Sequence, residues 1–205
     1  MIKLHISGLI GACMILTGCG GGGGDVEVVD LNKVLDVVSK SFVNFNANEG
    51  ELPDELTQAQ KDIRIKDFAT DTAISLNEAQ ISANTLGFAG KSDGSFEGFA
   101  DANANGLHDS GEKQLFTVEI DEAGSRFIAT DTQNGYQRDA GFSGMGLMAG
   151  MLIGSMLGRQ RGAGISSNRF SNMRMSPKNY HSAAQSRSTA SAKSRSSSGS
   201  YSSGK

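Results

Sequence analysis

Every acidic residue of this chain, 22 in all, lies between Asp25 and Asp139. From Cys19 to Asp139 nine basic residues leave a balance of −13, whereas nine basic residues from Ala140 onward meet no acidic one and give +9. A body of one sign and a tail of the other confine an ordinary folded domain to the acidic part. Composition narrows it further: with no Trp, ten Phe, three Tyr and 27 Gly in 205 residues, the apolar content supports one modest core between flexible flanks. The basic tail is then available to an anionic surface or to the acidic domain itself.

Within residues 26–139 the pattern predicts an α+β fold. Val28, Leu31, Val34, Leu35, Val38, Phe42 and Phe45 recur by threes and fours, as on one face of an amphipathic helix ending near Asn48, with Asp30 as a candidate cap. A second helix is expected from Asp54 to about Lys66, with Leu56, Ala59, Gln60 and Ile63 on one side. Ser75-Leu-Asn-Glu78 has capping-box spacing and suggests a short third helix to Asn84. From Leu86 the texture turns to β: Leu86–Ala89, a turn at Ser92–Ser95, Phe96–Phe99, then Gln114–Ile120 and Arg126–Thr130 around the turn Asp121–Gly124. Helices first and a small antiparallel sheet after them is an α+β order.

Between the second and third of these strands runs Asp101-Ala-Asn103-Ala-Asn105-Gly106-Leu107-His108-Asp109-Ser-Gly-Glu112. It resembles the EF-hand calcium loop, with Asp first, Asn third and fifth, Gly sixth, Asp ninth and Glu twelfth. The resemblance implies calcium held by the side chains of Asp101, Asn103 and Asn105, the Leu107 carbonyl, a water on Asp109 and both oxygens of Glu112. Gly106 permits the sharp turn. His108 stands where paired EF-hands place an aliphatic residue, and the flanks read as strands. The loop is therefore closer to those of β-rich bacterial surface modules. Three carboxylates imply weak binding, ~10⁻⁴–10⁻³ M, and a structural role. The alternative is a turn rich in Asn, Asp and Gly with no ion.

The chain starts Met-Ile-Lys, continues with an apolar run from His5 to Leu16 and closes on Thr17-Gly18, which reads as a secretory signal over residues 1–18. Leu16-Thr17-Gly18-Cys19 resembles the lipobox of bacterial lipoproteins. That likeness implies cleavage before Cys19, a covalent lipid on its thiol and a place in the cell envelope. Gly20, rather than Asp, at the next position favours the outer over the inner membrane by the same likeness. Gly20–Gly24 form a tether, residues 19–25, because each Gly costs a helix about 1 kcal/mol relative to Ala. With Cys13 removed and Cys19 lipidated, no thiol is left for a disulfide or a metal.

Residues 141–158 carry no charge, and Gly146, Gly150, Gly154 and Gly158 recur every fourth residue. On a helix they form a smooth stripe suited to close helix packing in lipid or between copies. As a helix the segment reaches about 27 Å, marginal against a hydrocarbon core of about 30 Å. Membrane or oligomer contact is the first expectation, packing on the protein's own sheet the second and a full span the third. Residues 159–205 are basic and Ser-rich, hence expected to be disordered, with anionic lipid or lipopolysaccharide as the fitting partner. Export argues against nucleic acid.

No P-loop, Rossmann or zinc-hydrolase pattern is present, and His108 has no recognisable catalytic motif around it. The sequence thus favours a non-enzymatic envelope lipoprotein with a calcium loop and a second membrane or self-association contact. A membrane-spanning accessory subunit of an inner-membrane complex is the alternative.

Overall fold

The computed structural model describes residues 28–48, 56–142 and 150–182. Helices α1 (Leu31–Asn48) and α2 (Gln58–Glu78) precede strands β1 (Leu86–Gly90), β2 (Phe96–Ala100), β3 (Gln114–Asp121), β4 (Arg126–Asp131) and β5 (Gln137–Gly141). Helices α3 (Met151–Gly162) and α4 (Asn168–Ser171) follow. The strands form one antiparallel sheet in sequential order, an α+β architecture in which α2 packs against β1 and α1 against β4 and β5.

Helix α1 follows its apolar stripe. Asp30 Oδ1 accepts the N–H groups of Asn32 and Lys33 at 3.1 and 3.4 Å, satisfying donors that the first turn cannot. Leu31, Val34, Leu35, Val38 and Phe42 are buried, and the Phe42 ring lies 4.2 Å from that of Phe68 and 4.9 Å from that of Phe127. One aromatic side chain thereby joins both helices to the sheet, a site where truncation to Ala costs about 3–5 kcal/mol.

Helix α2 departs from expectation in start, length and face. A capping box between Thr57 and Gln60 sets its first residue at Gln58, and it runs unbroken to Glu78. There is no separate third helix: Ser75 sits inside α2 with its hydroxyl on the Asp71 carbonyl. The buried face is Ile65, Phe68, Ala69, Thr72 and Leu76, while Ile63 is 58% exposed. Lengthening the helix adds Phe68 and Leu76, whose burial outweighs that of Ile63 and turns the core face accordingly.

Strands β1 to β4 lie within a residue or two of expectation, and β5 was not foreseen. Its sequence, Gln-Arg-Asp-Ala-Gly, lacks the β-branched and aromatic residues that mark strands, and none of its side chains is buried. It is held by its ladder to β4 and on the other edge by Ser176, whose N–H donates to the Gln137 carbonyl at 2.7 Å. At a bulge between Gly98 and Phe99, β2 brings Gly98 so close to the Phe116 ring that a Cβ there would lie 2.1 Å from it.

The folded unit also extends past Asp139. Phe142, Leu152, Ile153, Met156, Leu157 and Tyr180 all belong to the main core. Helix α3 covers only part of the glycine-spaced segment and turns its apolar side onto α2 and β3, so packing into the protein's own core, the second expectation, describes it. Gly150 is its N-cap, and a Cβ at Gly154 or Gly158 would meet nothing within 4 Å. The stripe therefore faces outward at these two positions and packs against no helix among the described residues; Gly146 lies outside them. Among the described residues no helix is long and apolar enough to cross a membrane.

Part of the expected disordered tail is ordered as well. Phe170 and Tyr180 are buried, which offsets the cost of fixing the polar residues around them. Residues 183–205 lie outside the described part.

Candidate calcium loop

The loop Asp101–Glu112 starts where β2 ends and finishes two residues before β3, so the sheet fixes both of its ends. Asp101 is 4% exposed at the first of them. Its Oδ1 accepts the Asn105 N–H at 3.1 Å and its Oδ2 the Gly106 N–H at 2.7 Å. Gly106, at φ +73°, takes the left-handed conformation that this reversal needs. From the far end Glu112 closes the same loop: Oε1 accepts the Ala102 N–H and Oε2 the Asp109 N–H, both at 2.9 Å.

The remaining residues of the pattern also converge. Asn103 Oδ1 accepts the Asn105 N–H and Asn105 Oδ1 the Leu107 N–H. Both side-chain amides donate to Asp109 Oδ2 at 2.8 Å. These two bonds hold the Asp109 carboxyl below its usual range, against a smaller opposing effect of burial. A carboxylate offers about four lone-pair directions and an amide oxygen two. Asp101 and Glu112 each use two on backbone N–H groups, and each asparagine oxygen uses one, so acceptor capacity remains for a hard cation.

Every side chain of the pattern thus lies in one hydrogen-bonded network. Among the described residues no three His, Cys, Asp or Glu side chains gather into a metal-binding cluster. As many of the protein oxygens here would come from asparagines and a carbonyl as from carboxylates, and Asp109 is engaged by amides. The donor set fits calcium, which accepts neutral oxygens, and not zinc, which takes nitrogen and sulfur.

His108 is the residue whose role sequence reasoning left open. Its ring stacks on Phe99 of β2, centroids 4.8 Å apart and planes 18° from parallel. Nδ1 lies 3.1 Å from Glu97 Oε1, and Nε2 lies 3.1 Å from the Glu112 carbonyl. The ring therefore pins the exposed loop to the sheet. Burial pulls the His108 pKa down, but the Glu112 carbonyl and the Glu97 carboxylate outweigh it and leave the pKa raised. Glu97 and Phe99 are the functional neighbours that the sequence pattern missed. Both sit outside the twelve-residue motif, and strand alternation puts them on one face of β2.

The N-terminal site cannot be compared in this way, because Cys19, the signal and the glycine tether lie outside the described residues. Comparison with protein-family models, with curated proteins and with solved structures finds no match.

Proposed function

We propose that this chain is a non-enzymatic envelope lipoprotein whose α+β domain is stabilised by calcium in the loop Asp101–Glu112. The observation carrying the reading is the closure of the loop from both ends by Asp101 and Glu112, each with acceptor capacity left. A turn without an ion needs neither carboxylate to close on backbone donors from opposite sides. The lipid anchor rests on Leu16-Thr17-Gly18-Cys19 alone.

Two experiments test the two halves. Radioactive fatty acid fed to expressing cells should label the wild type and not Cys19→Ala; equal labelling of both overturns the anchor. For the loop, a mature Cys19→Ser chain, made without acyl groups, should melt at a higher temperature in millimolar calcium. A ligand of the native state adds RT ln(1 + [L]/Kd), about 1.4 kcal/mol at tenfold excess over Kd. An equal shift in Glu112→Gln would assign the effect to charge screening.

The outward glycines of α3 support a narrower form of the second contact, association between copies through Gly154 and Gly158. Cross-linking the wild type and a Gly154→Leu/Gly158→Leu variant tests it. Undiminished dimer in the variant overturns it, since Leu blocks close approach at two positions where a Cβ meets nothing within 4 Å among the described residues.

A further inference from the structure

Two asparagines of the chain are followed by glycine, Asn105 in the calcium loop and Asn134 in the turn between β4 and β5. Before a glycine, the side-chain amide of asparagine is open to attack by the next backbone nitrogen, because no Cβ hinders the approach. A cyclic imide closes, ammonia leaves, and water reopens the ring to an acid. Both pairs meet this requirement in sequence, and the fold separates them.

At Asn105 the surroundings favour ring closure. Oδ1 accepts the Leu107 N–H at 2.7 Å, an Asx turn that curls the side-chain carbonyl back over the Gly106 peptide, the direction in which the ring closes. The same bond polarises the carbonyl and faces the negative charge that develops on its oxygen during attack. The attacking group, the Gly106 N–H, donates to Asp101 Oδ2 at 2.7 Å, and a carboxylate acceptor draws the proton away from the nitrogen. Asn105 and Gly106 are both exposed, so water reaches the ring. Asn103 makes a similar turn, its Oδ1 on the Asn105 N–H, but the methyl of Ala104 crowds the nitrogen that would attack. Asn134 is held differently: its amide donates to Asp131 Oδ2 and its backbone N–H to Asp131 Oδ1, both at 2.9 Å, and Asp131 is fully buried. The Gly135 N–H is tied to a neutral acceptor, the Asp131 carbonyl, at 2.8 Å.

We propose that Asn105 is a self-modification site, deamidated in the folded protein by the Gly106 nitrogen. The Gly106 proton leaves along its hydrogen bond to Asp101 and passes to water, the nitrogen bonds to Asn105 Cγ, and the Cγ–Nδ2 bond breaks as Nδ2 takes up a proton and departs as ammonia. Water then splits one of the two imide bonds. Cleavage between Cγ and the nitrogen gives aspartate, and cleavage on the other side gives isoaspartate, with the main chain routed through the side-chain methylene. The sum is one water consumed and one ammonia released. The consequence for the loop rests on the calcium reading: aspartate replaces a neutral ligand oxygen by a charged one and tightens binding, since ligand charge tunes calcium affinity. Isoaspartate instead lengthens the main chain at the turn where Gly106 takes φ +73° and spoils the ligand spacing.

The test holds the full mature chain, as Cys19→Ser, at mildly alkaline pH with a chelator, folded or in urea, and follows both sites by peptide mass mapping. In urea the two Asn-Gly pairs should convert at similar rates, each recognised by the mass gained when a hydroxyl replaces the amide nitrogen. In the folded chain Asn105 should convert at least as fast as in urea and Asn134 several-fold more slowly. Asp101→Asn should slow conversion at Asn105 several-fold and leave that at Asn134 as it was, the second site reporting that the sheet is intact. Slower conversion of Asn105 in the folded chain than in urea, Asn134 keeping pace with it, or no effect of Asp101→Asn overturns the proposal. Calorimetry of Asn105→Asp should give a calcium Kd about tenfold below that of the unmodified chain. Absence of calcium binding by both proteins would count against the calcium reading alone, because the rates in chelator do not depend on it.

Discussion

The Tyr180 hydroxyl accepts the backbone N–H of Leu31, 149 positions earlier in the chain, at the first turn of α1. The same hydroxyl donates to the Val29 carbonyl at 2.6 Å, and the ring is 4% exposed. Burial pushes the Tyr180 pKa well above its ordinary value, so the group stays neutral and keeps its proton for Val29. Tyr180→Phe leaves a buried donor and a buried acceptor without this partner, at a cost of about 1–3 kcal/mol. Urea unfolding should show a lower midpoint with an unchanged slope.

Glycines of this domain divide into those that are crowded and those that are open, and Ala substitution separates them. Gly98→Ala drives a methyl into the Phe116 ring and should cost about 1–3 kcal/mol. At Gly158 the new methyl meets no neighbour within 4 Å and the helix gains propensity, so Gly158→Ala should add about 0.4–1 kcal/mol. Thermal melts of the two variants should therefore move in opposite directions.

His108 gives the loop a pH dependence. Its folded pKa lies above the ordinary 6.5, so its contribution to stability is full below that value and fades as pH rises through the folded pKa. A melting series from acid to mildly alkaline pH should show that decline. Glu97→Gln should flatten it by removing the charge beside Nδ1, and NMR titration of the ring should place its pKa above that of an exposed histidine.

The helix–sheet order was legible because the apolar spacing of α1 and the turn residues between β1 and β4 act locally. Elements whose reasons are long-range were not legible. Strand β5 has no β-forming side chain, although Asn134-Gly135 marks the turn before it, where Gly135 takes φ +70°. The face of α2 depended on Phe68 meeting Phe42, a contact no window of sequence contains. The ordered tail likewise depends on Tyr180 finding Leu31. In the loop, the ligand-type residues could be read from spacing, whereas Glu97 and Phe99 required the fold of β2 to reach His108.

Calcium in the loop Asp101–Glu112 is open to direct measurement by titration calorimetry of calcium into the unacylated mature chain, wild type and Glu112→Gln. The result expected is one site per chain with Kd ~10⁻⁴–10⁻³ M in the wild type. Magnesium should compete poorly, because it demands a tighter octahedral shell. In Glu112→Gln the bidentate carboxylate is gone and the binding heat should vanish while the fold persists by circular dichroism. Heat that is absent from the wild type, or the same in both proteins, would contradict a calcium site closed by Asp101 and Glu112.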